Sequence, residues 1–184
     1  MSESPLDGLK LEERFFANVD ADLLSKLREE LAEEQNAEAI MKTTGIDSKE
    51  VAEELAKLKI TPETLAAFRL LPLVAVAWAD DRVEENERFV ITKAAEDSGI
   101  EAESAAMRLL EGWTKQRPPS DFLDAWCDYT KALIGMLSSD QAAELKRVMV
   151  EQANAVAEAS GGFYGYGAKS DGEKAVISKI EGVF

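Results

Sequence analysis

The chain has 184 residues, 46% of them hydrophobic, with 21 Lys plus Arg against 36 Asp plus Glu and a net charge of −15. That is apolar matter enough for one domain with a sizeable core, or one domain with an extension, and it argues against a disordered chain. So acidic a surface repels phosphate backbones and anionic membranes, which excludes nucleic acid and membrane as expected partners and favours a cation or a basic protein patch.

The N-terminal "MSESPLDGLKLEE" has neither a basic n-region nor an apolar h-region, so no signal peptide is expected. Strand signals are almost absent, while helix caps and 3.6-residue periodicity recur along the whole length; the fold class expected is all-α, a compact multi-helix bundle. Residues 1–60 read as an N-terminal helical extension packed on the body. A first pair of helices covers "LKLEERFFANV" and "ADLLSKLREELAEEQNAEAIMKTTG", the second stopped by Gly45, and Asp47 with Glu50 opens "SKEVAEELAKL".

The body, 61–184, begins at Thr61 and Pro62, a cap and a first-turn proline. The helix that follows is apolar on nearly every face through Trp78 and is expected at the centre of the bundle, bent at Pro72. Its apolar stretch "LAAFRLLPLVAVAWA" is short for a membrane span and is broken by Arg69 and Pro72. Next comes "EENERFVITKAAEDSGI", stopped by Gly99, then "EAESAAMRLLEGW", ended by Pro118 and Pro119. A helix with Phe122, Trp126, Tyr129, Leu133 and Met136 on one stripe follows, and Ser138 with Gln141 opens a long helix whose Leu145, Val148, Met149 and Val156 face inward. Aromatic residues at this spacing are read as core. Cys127, the single cysteine, falls on the same apolar run and is read as a packed thiol, which suits a reducing cytoplasm.

The absence of histidine removes Ser-His-Asp and Cys-His nucleophilic machinery and every imidazole metal site. Carboxylates alone can do acid–base work, but no pair of unequal carboxylate environments stands out, and the chain is not expected to be an enzyme. The glycine-rich "GGFYGYGAKSDGE" comes close to a phosphate loop, yet Ala168 separates Gly167 from Lys169 and a helix, not a strand, precedes it. It reads instead as a connection in which Gly161 or Gly162 stops a helix, Phe163, Tyr164 and Tyr166 pin the loop, and Ser170 with Glu173 caps the last helix.

"WADDRVEENERF", residues 78–89, remains. Glutamates suit the first turn of a helix, but aspartates at the end of one are disfavoured by its dipole, so Asp80 and Asp81 need another reason: turn chemistry or a cation. Asp80, Glu84 and Glu87 fall at positions 5, 9 and 12 of an EF-hand loop, but its first half is missing. Glu84 and Glu87 share a helix face, and with Asp80 they offer three carboxylates to a weak divalent-cation site, for calcium for instance, completed by water or carbonyls. Arg82 and Arg88 equally serve as the counter-charges of a solvated junction.

The stretch "LPLVAVAWADDRVEENERFVITKAAEDSGI" resembles the tellurite-resistance TerB-like family, whose core is an apolar helix ending in A-D-G-x-[IV]-[DS]-x-x-E. Ala79, Asp80, Val83 and Glu87 match; Asp81 stands at the glycine, and Glu84 replaces the capping aspartate or serine. The family has a second, related junction, and "YGAKSDGE" looks like its counterpart, with Ser170 aligned on Glu84, Glu173 on Glu87, Gly167 on Asp81 and Tyr166 on Asp80. The resemblance covers roughly residues 62–184. It implies a compact helical cytoplasmic domain tied to tellurite and other chemical stress, with metal binding and no established catalysis. Two functions are therefore expected in competition: a TerB-like module that takes a divalent cation or presents an acidic face to a protein partner, and a structural interaction domain whose N-terminal helices self-associate without metal.

Overall fold

The computed structural model describes residues 5–160 and 169–184, and their side chains from residue 23 onward, Leu24 excepted. The fold is all-α, with no strand among the described residues. No described helix is long and apolar enough to cross a membrane.

The first helix, α1, runs unbroken over Pro5–Thr44, where the sequence reads as two helices. Between Val19 and Ala21 there is only Asp20 and no glycine or proline, and an aspartate lowers helix propensity without stopping the helix. At 1.5 Å per residue α1 is about 60 Å long, and its described side chains meet the core near its C-terminal end. There Ala37 and Ile40 are buried, and Asn36 Nδ2 donates to the Ile60 carbonyl at 2.6 Å. Helix α2, Lys49–Lys57, packs on α1 and buries Ala52, Leu55 and Ala56. Its cap is Ser48, whose hydroxyl accepts from the Val51 N–H, one residue later than the Asp47 start read from the sequence. Ile40, Leu55 and Ile60 belong to the same core cluster as Phe68 and Leu73, so apolar packing is continuous across position 60.

Thr61 to Thr64 form a turn rather than a helix start, with the Thr61 N–H donating to Thr64 Oγ1 at 2.9 Å. The central apolar segment is then two helices, α3 Leu65–Arg69 and α4 Leu71–Ala77. Pro72 does more than bend the axis: it sits in the first turn of α4, where its missing N–H is not needed. Helix α4 is buried on nearly all sides, with α5 to α9 packed around it. Trp78, read as the end of this core helix, instead begins a 3-10 turn, Trp78–Asp80. It is half-buried, and its Nε1 donates to the Trp113 carbonyl at 2.7 Å.

Helices α5, Glu85–Asp97, α6, Ala105–Lys115, α7, Asp121–Ile134, α8, Ser139–Ala159, and α9, Asp171–Glu181, complete the bundle. Gly99 ends α5 at φ +80°, and the Ile100 N–H reaches back to the Ala95 carbonyl at 3.0 Å, the bond of a left-handed helix stop. A Cβ on Gly99 meets no atom within 4 Å, so only the backbone angle opposes substitution. Gly99→Val is accordingly expected to destabilise by about 1–2 kcal/mol, the cost of the left-handed region for a side chain; a chemical denaturation midpoint unchanged from wild type would contradict it.

Candidate functional site

The acidic junction is built by helix termini. Asp81 closes the 3-10 turn at φ +62°, so the residue standing where the resembled pattern has glycine adopts the backbone conformation that glycine favours, one aspartate tolerates. Its carboxylate meets Arg117 Nη1 at 2.6 Å on the surface. Glu84 is the N-cap of α5 in a reciprocal capping box: its side chain accepts from the Glu87 N–H, and Glu87 Oε2 accepts from the Glu84 N–H at 2.7 Å. Arg82 pairs with Glu84 at 2.9 Å, and Arg88 Nη2 donates to the Val83 carbonyl. Asp80 is exposed, whereas Glu87 is only 2% exposed. Burial pushes the Glu87 carboxyl up from an ordinary 4.5 to about 7; the bond from the Glu84 N–H opposes this, and the negative charges of Glu173, Glu84 and Asp80 add to it.

A second junction repeats the first. Ser170 caps α9 in the same reciprocal box with Glu173, whose Oε2 accepts from the Ser170 N–H at 2.6 Å. Glu173, like Glu87, is 2% exposed, and its Oε1 accepts from Ser160 Oγ at 3.0 Å. The first turn of α9 lies against the 3-10 turn so closely that a Cβ on Gly172 would stand 3.0 Å from the Ala79 carbonyl oxygen. The predicted pairing of Ser170 with Glu84 and Glu173 with Glu87 thus has matching local geometry. The part of that alignment on Tyr166 and Gly167, and the helix stop and aromatic pins expected of Gly161 to Tyr166, lie outside the described residues.

Asp80, Glu84 and Glu87 stand in three different settings, the first exposed, the second the N-cap of α5 and the third buried. Among the described residues no group of three or more carboxylates or thiols is placed to hold a metal ion. The physical reason is that the Glu84 and Glu87 side chains turn back onto α5's own N–H groups. Cys127 is buried and its thiol raised by that burial, the condition of a packing residue rather than a reactive one.

The largest feature that sequence reasoning missed is a cleft of about 690 Å³ between α7 and α8. These consecutive helices each pack on α4, with α7 also on α2 and α8 also on α5 and α9, but they scarcely touch each other. Their facing apolar residues, Tyr129, Leu133, Leu145 and Val148 with Leu137 from the connection, line the space; Trp126 and Phe184 close its floor, and Asp140, Glu144 and Arg69 stand at its polar edge. Leu133, Leu145 and Val148 are therefore half-buried walls of an open groove, a correction to their reading as core. Met136 lies beyond the end of α7 and is exposed. Periodicity reports that a face is apolar; it does not report whether another helix covers it. Compared with family models, with curated proteins and with solved structures, the chain gives no match.

Proposed function

We propose that the chain is a protein-binding module of the TerB-like type, serving chemical-stress responses such as those to tellurite, and that its α7–α8 cleft receives the apolar face of a basic amphipathic helix from a protein partner. The observation that carries the reading is the divergence of two consecutive helices that leaves apolar side chains facing one another across open space. Isolated exposed leucines need no explanation, but a concave apolar groove with a polar rim is the form that helix recognition takes. Arg69 and the Glu144–Arg147 pair leave most of the rim balanced, so it is Asp140 there and the net charge of −15 of the chain that favour a basic partner. The stress-response setting rests on the resemblance of residues 71–100, supported by the repeated capping boxes. A divalent cation at Asp80, Glu84 and Glu87 would compete with the hydrogen bonds that already occupy Glu84 and Glu87, which favours protein over metal as the ligand.

The test uses two synthetic peptides of one Leu/Lys composition, the first ordered as an amphipathic helix and the second scrambled, titrated into the full chain by calorimetry. The ordered peptide is expected to bind at least tenfold more tightly, and Val148→Glu, a change on a half-exposed wall, is expected to abolish the difference while leaving the circular dichroism intact. Equal binding of both peptides, or unchanged binding by the variant, would reduce the interaction to non-specific attraction by an acidic surface.

A further inference from the structure

Leu23, Leu27 and Leu31 are 55%, 45% and 56% exposed. Spaced four apart, they fall on one face of α1, and among the described side chains of α1 those that enter the core begin at Asn36 and Ala37. Between them runs a length of helix about 20 Å long with a leucine stripe directed at water. A helix of this kind gains most of its stability from covering its apolar face. The chain's own cleft is a poor cover, since Glu30 and Glu34 flank the stripe and the cleft rim offers them Asp140 and a Glu144 already paired with Arg147.

We propose that α1 pairs with α1 of a second copy of this chain, antiparallel, along Leu23, Leu27 and Leu31. The charges beside the stripe select both the partner and the direction. Lys26 and Glu30 are exposed and lie along the same edge of the stripe, one turn apart, while Arg28 lies on the opposite edge. In an antiparallel pair related by a two-fold axis each edge meets its own copy running in reverse, so Lys26 of one chain stands by Glu30 of the other, twice. The same register sets Arg28 opposite Arg28 on the other edge, one like pair against two opposite ones, whereas in a parallel pair Arg28 stands equally near Lys26 and Glu30 of the other chain and gains nothing net. Opposite charges flanking an apolar seam set partner and orientation, and like charges there oppose pairing. The resulting dimer is isologous, with the same patch on both chains and no open end from which to polymerise.

Sedimentation equilibrium of the full chain is expected to give the mass of two chains, falling towards that of one on dilution. Leu27→Glu is expected to give a single chain's mass at every concentration with helicity preserved. Lys26→Glu and Glu30→Lys should each weaken the dimer at least tenfold, since each places like charges across the seam. An equimolar mixture of those two variants should recover a dimer, because both 26–30 pairs in the mixed species are again of opposite sign. A wild-type chain that stays single at all concentrations, a dimer indifferent to Leu27→Glu, or single variants whose mixture fails to recover would each overturn the antiparallel pairing.

Discussion

Phe68→Ala is expected to destabilise the protein by about 3–5 kcal/mol, the range for deleting a large aromatic ring from a packed core. Phe68 is completely buried in α3, and its ring meets Tyr129 edge-on at a centroid distance of 6.0 Å, an arrangement worth something beyond area alone. Truncation leaves a hole at the point where α3 gives way to α4, and the chain there has little freedom to collapse into it because Pro72 holds the start of α4. Trp78→Ala is the informative comparison. The indole is larger, but it is half-buried and fixed mainly by one hydrogen bond to the Trp113 carbonyl, so its loss is expected to cost only about 1–3 kcal/mol. Guanidinium unfolding of the two variants should therefore rank Phe68→Ala well above Trp78→Ala. A reversed order, or a Phe68→Ala loss below about 1 kcal/mol, would contradict the packing described.

That ranking also marks what can be read from a one-dimensional pattern. The helical class, the glycine stop at Gly99 and the capping boxes at Ser138 and Ser170 are local: each depends on residues within one turn, and the structure has them at those residues. Central placement of the apolar segment is nearly as local, since a helix without a polar face has nowhere else to go. What the pattern does not contain is the relation between helices. Trp78 and Leu145 both sit on apolar stripes, yet one is pinned at the rim of the core and the other faces a groove, because the direction in which α8 leaves α7 depends on what each packs against. Asp80, Glu84 and Glu87 form no metal-holding group among the described residues for a different reason. Spacing places carboxylates along a chain but leaves their side chains free to turn either towards a common centre or back onto the backbone, and the unpaired N–H groups at the start of α5 draw Glu84 and Glu87 back. The cost of that choice is a buried carboxyl at Glu87, which no sequence spacing displays.

Glu87→Gln is expected to change how stability depends on pH. In the folded protein burial holds the Glu87 carboxyl protonated up to about pH 7, whereas its ordinary value is 4.5. Between those values the native state keeps a proton that the unfolded chain releases, so the slope of unfolding free energy with pH is negative there. The contribution is fully present below about 4.5 and is lost as pH rises to about 7, at about 1.4 kcal/mol per pH unit and roughly 3 kcal/mol over the whole window. Glutamine cannot ionise, yet its side-chain oxygen can still accept from the Glu84 N–H and preserve that half of the capping box. Since the variant differs from wild type by this one titration, subtracting the two stability curves removes the other carboxylates, whose effects are common to both. The variant should match wild type near pH 4 and exceed it progressively to about pH 7, with a constant gap above. A gap that does not vary with pH would mean that Glu87 ionises in the folded state as freely as in the unfolded one, through access of water to the junction or through a cation drawn there by Glu173, Glu84 and Asp80. Repeating the alkaline measurement with calcium and with a chelator separates those two causes, because an ion bound to the native state stabilises it in proportion to its concentration and water does not.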